Sequence, residues 1–474
     1  MKKTKIIGTI GPTSFDMNVM REMLNNGMDV VRINLSHATE DFCDKVIKMV
    51  RELEEELDRP IGIMLDLDGP SVRLDKFIED KVLLEEGKEI KLYNYPVICN
   101  NTQFSVNYEN ISHELDSGDI ILLSDGKVEL EVIESLNDYA LLKVNVGGEI
   151  KSNQTVYVKN KKLKLPFISE KDRENILYGI KKNIDFLALS YVRDEQDVLE
   201  VADILIENDN NHINLIAKIE NSSALDNLDE IIKISDGVMV ARGDLAIEVS
   251  FEKLPFFQKT ILAKAKEYEK VGIVATDFLM SMEENPRPSR SEISDIYNAV
   301  MDSCDAILLS GETTIGKYPT LAVDTLSKVI LSAEEDFNYN DNLMDIYENN
   351  LDSITSNIAY SVLLSATKLN AKCIIANTYS GFTALKISQT RCKTPILGLS
   401  PLLETVRLLT INYGVLPKKT TEWKSTDTIV KMSTSEAIKV FDLHENDIVV
   451  VTGGFPISNK NTNFMKIEVI EKAS

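Results

Sequence analysis

Lys218 and Glu220 stand at the end of a short apolar, β-branched run, Asn214–Ile219. Side chains two apart on a strand share one face, so an ammonium and a carboxylate project there together. A plain ion pair would need nothing more. The next such run, Gly237–Val240, is followed by Ala241-Arg242-Gly243-Asp244, which adds a second carboxylate at a neighbouring strand end. Two carboxylates with few histidines and no cysteine close by suit a hard divalent cation, Mg2+ or Mn2+. Zinc spacing is absent, because His37, His113, His212 and His444 lie far apart in sequence. Gly243 and Asp244 also fall where a buried strand turns toward a helix, and free backbone N–H groups at such a point can take an anion such as a carboxylate. The alternative there is a tight turn that needs glycine. Arg32, near the end of Val30–Leu35, is costly to bury without an anionic partner, and Asp66 or Glu312 could be that partner.

These residues need a scaffold that brings strand ends together. Eight apolar runs recur: Lys5–Ile10, Val30–Leu35, Ile61–Leu67, Ile184–Tyr191, Asn214–Ile219, Gly237–Val240, Gly272–Ala275 and Ala306–Leu309. Most of their starts are about 23–35 residues apart, the length of one βα unit, with helix-period stretches between. The pattern predicts an α/β fold, a (β/α)8 TIM barrel, whose chemistry would sit at the carboxyl ends of the strands. The one long interval holds short alternating strands (Glu89–Tyr93, Ile120–Leu123, Lys127–Ile133, Tyr139–Val146 and Thr155–Lys159) and so an inserted small β-barrel domain. The acidic, Asn-rich stretch Asn338–Asn350 marks a boundary. Beyond it, helices and strands alternate again, ending in strands Ile448–Thr452 and Lys466–Glu471, which predicts a C-terminal α/β domain with a mixed sheet. The expected domains are 1–69 and 166–338 for the barrel, 70–165 for the insertion and 339–474 for the last.

The 474 residues carry 52 Lys and Arg against 75 Asp and Glu, a net charge of −23. A surface this acidic repels nucleic acid and anionic lipid, so neither is an expected partner, and an anionic substrate must enter a locally basic pocket. Cys43, Cys99, Cys304, Cys373 and Cys392 are scattered and odd in number, which suits a reduced, cytoplasmic protein. The basic start Met1–Lys5 is followed by too short an apolar run for a signal peptide or membrane anchor. In the last domain, Asn377-Thr378-Tyr379-Ser380-Gly381-Phe382-Thr383 leads from a strand into a helix. Its hydroxyls and N–H groups suit a phosphate. The alternative is an N-cap cluster in which Thr378, Ser380 and Thr383 satisfy helix N–H groups.

Several segments, in chain order, resemble the pyruvate kinases. They are Thr4-Lys5-Ile6-Ile7-Gly8-Thr9-Ile10-Gly11-Pro12, Val31–His37, Leu165–Asp172, Ala217-Lys218-Ile219-Glu220-Asn221, Ser235–Leu245, Pro286–Glu292 and Leu309–Thr313. The resemblance implies transfer of a phosphoryl group from phosphoenolpyruvate to ADP, giving pyruvate and ATP. It implies that Arg32 holds the substrate phosphate and that Lys218 neutralises the transferring group and the developing enolate. Glu220 and Asp244 would ligate Mg2+, and the backbone groups of Gly243 and Asp244 with the hydroxyl of Thr276 would bind the substrate carboxylate. Asn34, Ser36, Asp66 and the Leu67 carbonyl would form a monovalent-cation (K+) site. His37, Arg73 and Lys171 would contact nucleotide phosphates, with Asn34 beside them. The insertion would act as a lid, and Thr378, Ser380, Gly381 and Thr383 would hold a phosphorylated allosteric effector. A homotetramer is implied too.

The chain departs from the family pattern in places. Asp68 and Ser71 stand where the family usually has Lys and Glu, so potassium dependence stays open. Asp277 puts a carboxylate next to Thr276, which would raise the Michaelis constant or alter substrate choice. Val156-Tyr157-Val158-Lys159-Asn160 replaces the usual Val-Asn-Leu-Pro-Gly. These departures leave a second reading, a divergent paralogue with a mainly effector-binding or regulatory role. A third is a barrel enzyme acting on the same enolate by carbon–carbon bond chemistry, which the insertion and Arg73 argue against.

Overall fold

Aspartates precede alternate staves of the barrel and fix how the staves meet. Asp29, Asp185, Asp236 and Asp305 each stand immediately before a strand. Each accepts the backbone N–H of a neighbouring strand's start: Ile6 at 3.0 Å, Ile63 at 2.7 Å, Leu215 at 2.9 Å and Gly272 at 2.8 Å. These donors lie at ladder ends, where an unpaired buried N–H would be costly. The computed structural model of the chain describes residues 1–159, 161, 163–210, 212–339, 353–423, 425–454 and 462–471.

The eight staves are β1 (Lys5–Thr9), β2 (Val30–Asn34), β3 (Gly62–Asp66), β12 (Phe186–Leu189), β13 (Asn214–Ile219), β14 (Gly237–Ala241), β15 (Val271–Ala275) and β16 (Ala306–Leu309). All pair in parallel and in chain order, and β16 returns to β1 to close the ring. The expected (β/α)8 barrel is therefore present, with all eight runs in place. Ile184–Tyr191 overshoots its stave because Tyr191 turns to φ 58°, out of extended conformation. Inside the ring pack Ile7, Met64, Phe186, Ile216, Met239, Ile273 and Leu308; outside, a larger apolar layer joins staves to helices. Several of the helices start at side-chain caps, among them Asp16, Thr39, Ser169 and the capping box Ser289/Glu292.

Between β3 and β12 the chain builds the second unit. Strands β11 (Tyr157–Val158), β7 (Ile120–Leu123), β8 (Val128–Ser135), β9 (Tyr139–Val146), β5 (Glu89–Tyr93) and β6 (Gln103–Ser105) form one sheet in that order. β10 (Gly148–Lys151) pairs with β4 (Lys81–Leu84) in a second ladder, and one apolar core lies between. β4, β6 and β10 escaped the sequence reading because they are three or four residues long, and β4 and β10 show little alternation. Gly69 opens the passage into this unit. Its φ is +72°, and a Cβ there would lie 2.5 Å from the Ser190 carbonyl oxygen, so only glycine fits.

The last unit is a five-stranded mixed sheet, β19 (Val415–Lys419), β18 (Ile396–Ser400), β17 (Cys373–Asn377), β20 (Ile448–Gly453) and β21 (Phe464–Val469). Only the β20–β21 pairing is antiparallel. β19 was missed because it contains Pro417, which an edge strand tolerates. Between β18 and β19 the chain forms an α-helix over Leu403–Leu408 and a 3-10 turn over Leu409–Ile411. That turn has a purpose: Ile411 joins the interior core and, with Leu385 and Leu408, plugs the base of the barrel. Most of the boundary stretch Asn338–Asn350 lies outside the described residues, as does Asn160 of the insertion motif.

Candidate active site at the barrel mouth

Seven staves send charged or hydroxyl side chains to a cavity of about 200 Å3 at their carboxyl ends. Its lining includes Arg32, Asn34, Ser36, Asp66, Arg73, Lys218, Glu220, Asp244 and Thr276. Asp66 is the hub. Its Oδ2 accepts from Arg32 Nε at 2.7 Å, and its Oδ1 accepts from Lys218 Nζ at 3.2 Å. Of the two partners open for Arg32, Asp66 is the one used. Glu312 instead accepts the backbone N–H groups of Leu279 and Ser310, each at 2.9 Å. Arg32 also reaches Thr9 Oγ1 at 2.9 Å and Ser310 Oγ at 3.2 Å.

Lys218 and Glu220 share a face as the strand period requires, with Nζ 3.0 Å from Oε1. Burial would lower the Lys218 pKa, but Asp66 and Glu220 outweigh it and hold the ammonium above its ordinary value. Burial pushes the Glu220 carboxyl up to about 7, against the pull of Lys218 and with help from Asp244. Burial also opposes ionisation of Asp66, yet Arg32 and Lys218 keep it below the usual carboxylate range. The pocket thus holds three cationic side chains, Arg32, Arg73 and Lys218, against four carboxylates, Asp66, Asp68, Glu220 and Asp244. Glu220 and Asp244 line it together, an all-oxygen pair of the kind a hard divalent cation takes alongside water and substrate oxygens. No cluster of three or more acidic, His or Cys side chains that could hold a metal ion occurs among the described residues.

Gly243 and Thr276 meet where the sixth stave turns into its helix. Gly243 N donates to Thr276 Oγ1 at 2.8 Å, so the backbone N–H and the hydroxyl already face each other. Glycine is not demanded by the turn: a Cβ on Gly243 would stand 3.5 Å from its nearest neighbour, Thr276 Oγ1, and no positive φ is involved. A missing side chain there leaves room for a ligand to approach the backbone. Thr276 has φ 72°, an outlier for a β-branched residue. Arg242 holds the strained turn, donating to the Thr276 carbonyl at 2.5 Å and to both Asp295 oxygens at 2.8 and 2.7 Å. Its guanidinium also lies 4.0 Å from the Phe278 ring centroid.

The candidate monovalent-cation donors are each engaged in hydrogen bonds, mostly with residues outside the set. Asn34 Oδ1 accepts from Ser36 N at 3.1 Å, and Ser36 Oγ donates to Asp68 Oδ1 at 2.8 Å. The Leu67 carbonyl accepts from Ser190 Oγ at 2.7 Å. Leu67 itself is not in the cavity lining. Asp68 also takes Arg73 Nη2 at 2.7 Å; burial works against its charge, but Ser36 and Arg73 hold its carboxyl below the usual range. His37 and Lys171 are exposed and outside the cavity, although the Lys171 charge is felt at Asp68. Asp277 is exposed and outside the lining as well, which corrects the expectation that its carboxylate would bear on the substrate.

Sequence reasoning gave no role to Ser190, Tyr191, Tyr157 or Ser310. Ser190 Oγ accepts from Lys218 Nζ at 2.7 Å and lies 3.1 Å from Asp66 Oδ1. Tyr191 N donates to Glu220 Oε2 at 2.5 Å. The hydroxyls of Tyr157 and Tyr191 reach Asp244 Oδ1 at 2.6 and 3.1 Å. Burial, then the Asp244 charge, raises both phenol pKa values, so both remain donors. The position of Ser190-Tyr191 at a strand end was the available signal; for Tyr157 the signal was only its departure from the family pattern.

In the last unit, Thr378 and Thr383 are buried and Ser380 is exposed around Gly381, whose φ is +91°. The helix Phe382–Gln389 begins at Gly381 with no side-chain cap, so the N-cap alternative fails. Thr383 Oγ1 lies 2.8 Å from Thr462 Oγ1 across the sheet end. No helix among the described residues is long and apolar enough to cross a membrane.

Fold and mouth together define a TIM-barrel protein with a charged site at the carboxyl ends of its staves. Residues 1–323 match the family described as "Pyruvate kinase, barrel domain", and residues 356–468 match "Pyruvate kinase, alpha/beta domain". The chain is 38% identical over 473 residues to a pyruvate kinase of Staphylococcus epidermidis (strain RP62A), covering 99% of this chain and 81% of the relative. It is 37% identical over 475 residues to a pyruvate kinase of Clostridium perfringens (strain 13 / Type A), covering 99% of this chain and all of the relative. The chain belongs to the pyruvate kinase family.

Proposed function

We propose that the protein transfers the phosphoryl group of phosphoenolpyruvate to ADP, giving pyruvate and ATP as the pyruvate-forming step of glycolysis in the cytoplasm. The observation that carries this reading is the joint anchoring of Arg32 and Lys218 on one buried carboxylate, Asp66, at the mouth of the barrel. Phosphoryl transfer needs in-line positioning and positive charge on the equatorial oxygens more than covalent help. Arg32 and Lys218 supply fixed cations for those oxygens. The backbone groups of Gly243 and Asp244 and the Thr276 hydroxyl hold the substrate carboxylate. The bond from phosphorus to the enol oxygen breaks as one forms to the terminal oxygen of ADP. Lys218 then faces the enolate oxygen until the carbon takes up a proton.

Glu220 and Asp244 would hold Mg2+ or Mn2+, which supplies further positive charge to the phosphoryl oxygens. Arg73, with Asn34, His37 and Lys171 at the rim, would meet the nucleotide phosphates. Asn34, Ser36, Asp66 and the Leu67 carbonyl are the proposed K+ site; comparing rates with and without potassium tests it. Residues 70–165 would serve as the lid on the barrel of 1–69 and 166–338. Residues 339–474 would be the regulatory domain, with a phosphorylated effector at Thr378, Ser380, Gly381 and Thr383. Four copies would assemble, which sedimentation would measure.

The test is pyruvate formation from phosphoenolpyruvate, ADP and Mg2+, followed through a coupled dehydrogenase. Turnover on the order of 10 s−1 is expected. No pyruvate under these conditions, with the folded protein in hand, would overturn the assignment.

A further inference from the structure

Tyr157 belongs to β11 of the inserted unit, and its side chain is buried, 8% exposed. Its hydroxyl crosses to the barrel and donates to Asp244 Oδ1 at 2.6 Å. Tyr191, at the end of the fourth stave, reaches the same oxygen at 3.1 Å. The barrel fixes Tyr191 through its backbone: φ is 58°, and its N–H is bound by Glu220. Two donors on one carboxylate oxygen leave the other, Oδ2, as the oxygen available to a cation. Hydrogen bonds of this kind orient metal ligands and are worth about 10–100-fold in affinity.

The two donors differ in origin. Tyr191 is supplied by the barrel itself. Tyr157 is supplied only when the inserted unit lies against the mouth. We propose that Tyr157 is a positioning residue that couples closure of the inserted unit to divalent-cation binding at Asp244. The inference rests on Glu220 and Asp244 being the cation ligands. Coupling of this sort is reciprocal: closure strengthens cation binding, and a bound cation favours closure by the same factor. A phenol that merely filled the cation's place would act in the opposite sense, and its removal would tighten binding.

The experiment titrates the full-length protein with Mn2+ in the absence of substrates, by electron paramagnetic resonance. Wild type, Tyr157→Phe, Tyr191→Phe and Asp244→Asn are compared, with thermal unfolding as the check on folding. Amide hydrogen exchange of β7 and β11 is read with and without Mn2+. Tyr157→Phe should bind Mn2+ about tenfold more weakly and lose the Mn2+-dependent protection of β11. Tyr191→Phe should also bind more weakly yet keep that protection, since its hydroxyl does not cross between units. Mn2+ binding by Tyr157→Phe that equals or exceeds wild type overturns the inference. Wild type that binds no Mn2+, or Asp244→Asn that binds it as wild type does, overturns instead the cation site on which the inference stands.

Discussion

At the base of the barrel, Asp29, Asp185, Asp236 and Asp305 each accept a backbone N–H from a neighbouring stave. Cations close over three of them: Lys2 on Asp29 at 2.7 Å, Arg51 on Asp185 at 3.0 Å, and Arg391 of the last unit on Asp305 at 2.6 Å. At the mouth, Asp66 is held by side chains alone among these contacts, those of Arg32, Lys218 and Ser190, and a cavity lies in front of it. The same residue types do two jobs. A charge closed off by backbone N–H groups and, at three of the four, by cations fixes register and docks a neighbour. A charge shared between side chains on separate staves holds its cationic partners at the cavity, ready for an anion. Position along the stave decides which.

That contrast predicts opposite consequences for removing one cation from each end. Arg391 and Asp305 are 1% and 0% exposed, and deleting one partner of such a pair leaves an uncompensated buried charge. Arg391→Met should cost about 3–5 kcal/mol of stability, seen as an earlier urea or thermal transition. The folded fraction should keep wild-type turnover. A variant as stable as wild type would mean that this contact does not weld the last unit to the barrel. Lys218→Met should do the reverse. Turnover should fall by about 10²–10³, in line with losing an electrostatic donor worth roughly 3–4 kcal/mol, while Arg32 still neutralises Asp66 and the fold survives. Retained turnover would assign the chemistry to the wrong residue.

Lys5 sharpens the comparison through pH. It is buried at the base, where Nζ donates to the Val415 carbonyl at 2.6 Å and lies 3.9 Å from Asp29 Oδ1. Burial lowers its pKa to about 8, more than Asp29 can restore. Below pH 8 both folded and unfolded chains hold the proton, and the cost of burying the charge is present in full. Between about 8 and 10.5 the folded state has released the proton and the unfolded state has not, so stability rises with pH. The full swing is at most roughly 3 kcal/mol. Urea unfolding of wild type and Lys5→Met at pH 7.5 and 9.5 would measure it, with wild type gaining on the variant at the higher pH. Parallel responses would show that Lys5 is not the titrating group.

Much of this was legible because barrel chemistry obeys strand periodicity. The two-residue spacing of Lys218 and Glu220 put both on one face, and the run lengths gave all eight staves in order. What escaped has identifiable physical causes. Strands as short as Tyr157–Val158 carry too little alternation to show which way a side chain points, so Tyr157 could not be aimed at Asp244. Ser190 and Tyr191 were visible at a strand end, but their roles come from a backbone turn to positive φ that neither residue type announces. Arg32 had two candidate anions in sequence. Only pairing of β2 with β3, which sets Asn34 opposite Asp66, puts Asp66 beside it.

The smallest expected effect concerns Asp277, where sequence and structure point different ways. Adjacent to Thr276, its carboxylate looked placed to oppose an anionic substrate. The backbone separates the two neighbours: Thr276 and Asp277 take φ of 72° and 60° in succession. Thr276 stays in the cavity wall, while Asp277 is exposed and absent from it. A charge in water on the far side of such a turn is screened within about 8–10 Å at ordinary salt. Asn tolerates positive φ as Asp does, so Asp277→Asn changes charge and little else. Its Michaelis constant for phosphoenolpyruvate should stay within about twofold of wild type, the size of a surface substitution worth roughly 0.5 kcal/mol. A fall of fivefold or more, steepest at low salt, would place the carboxylate within reach of the substrate and make the turn, not the cavity wall, the determinant of affinity.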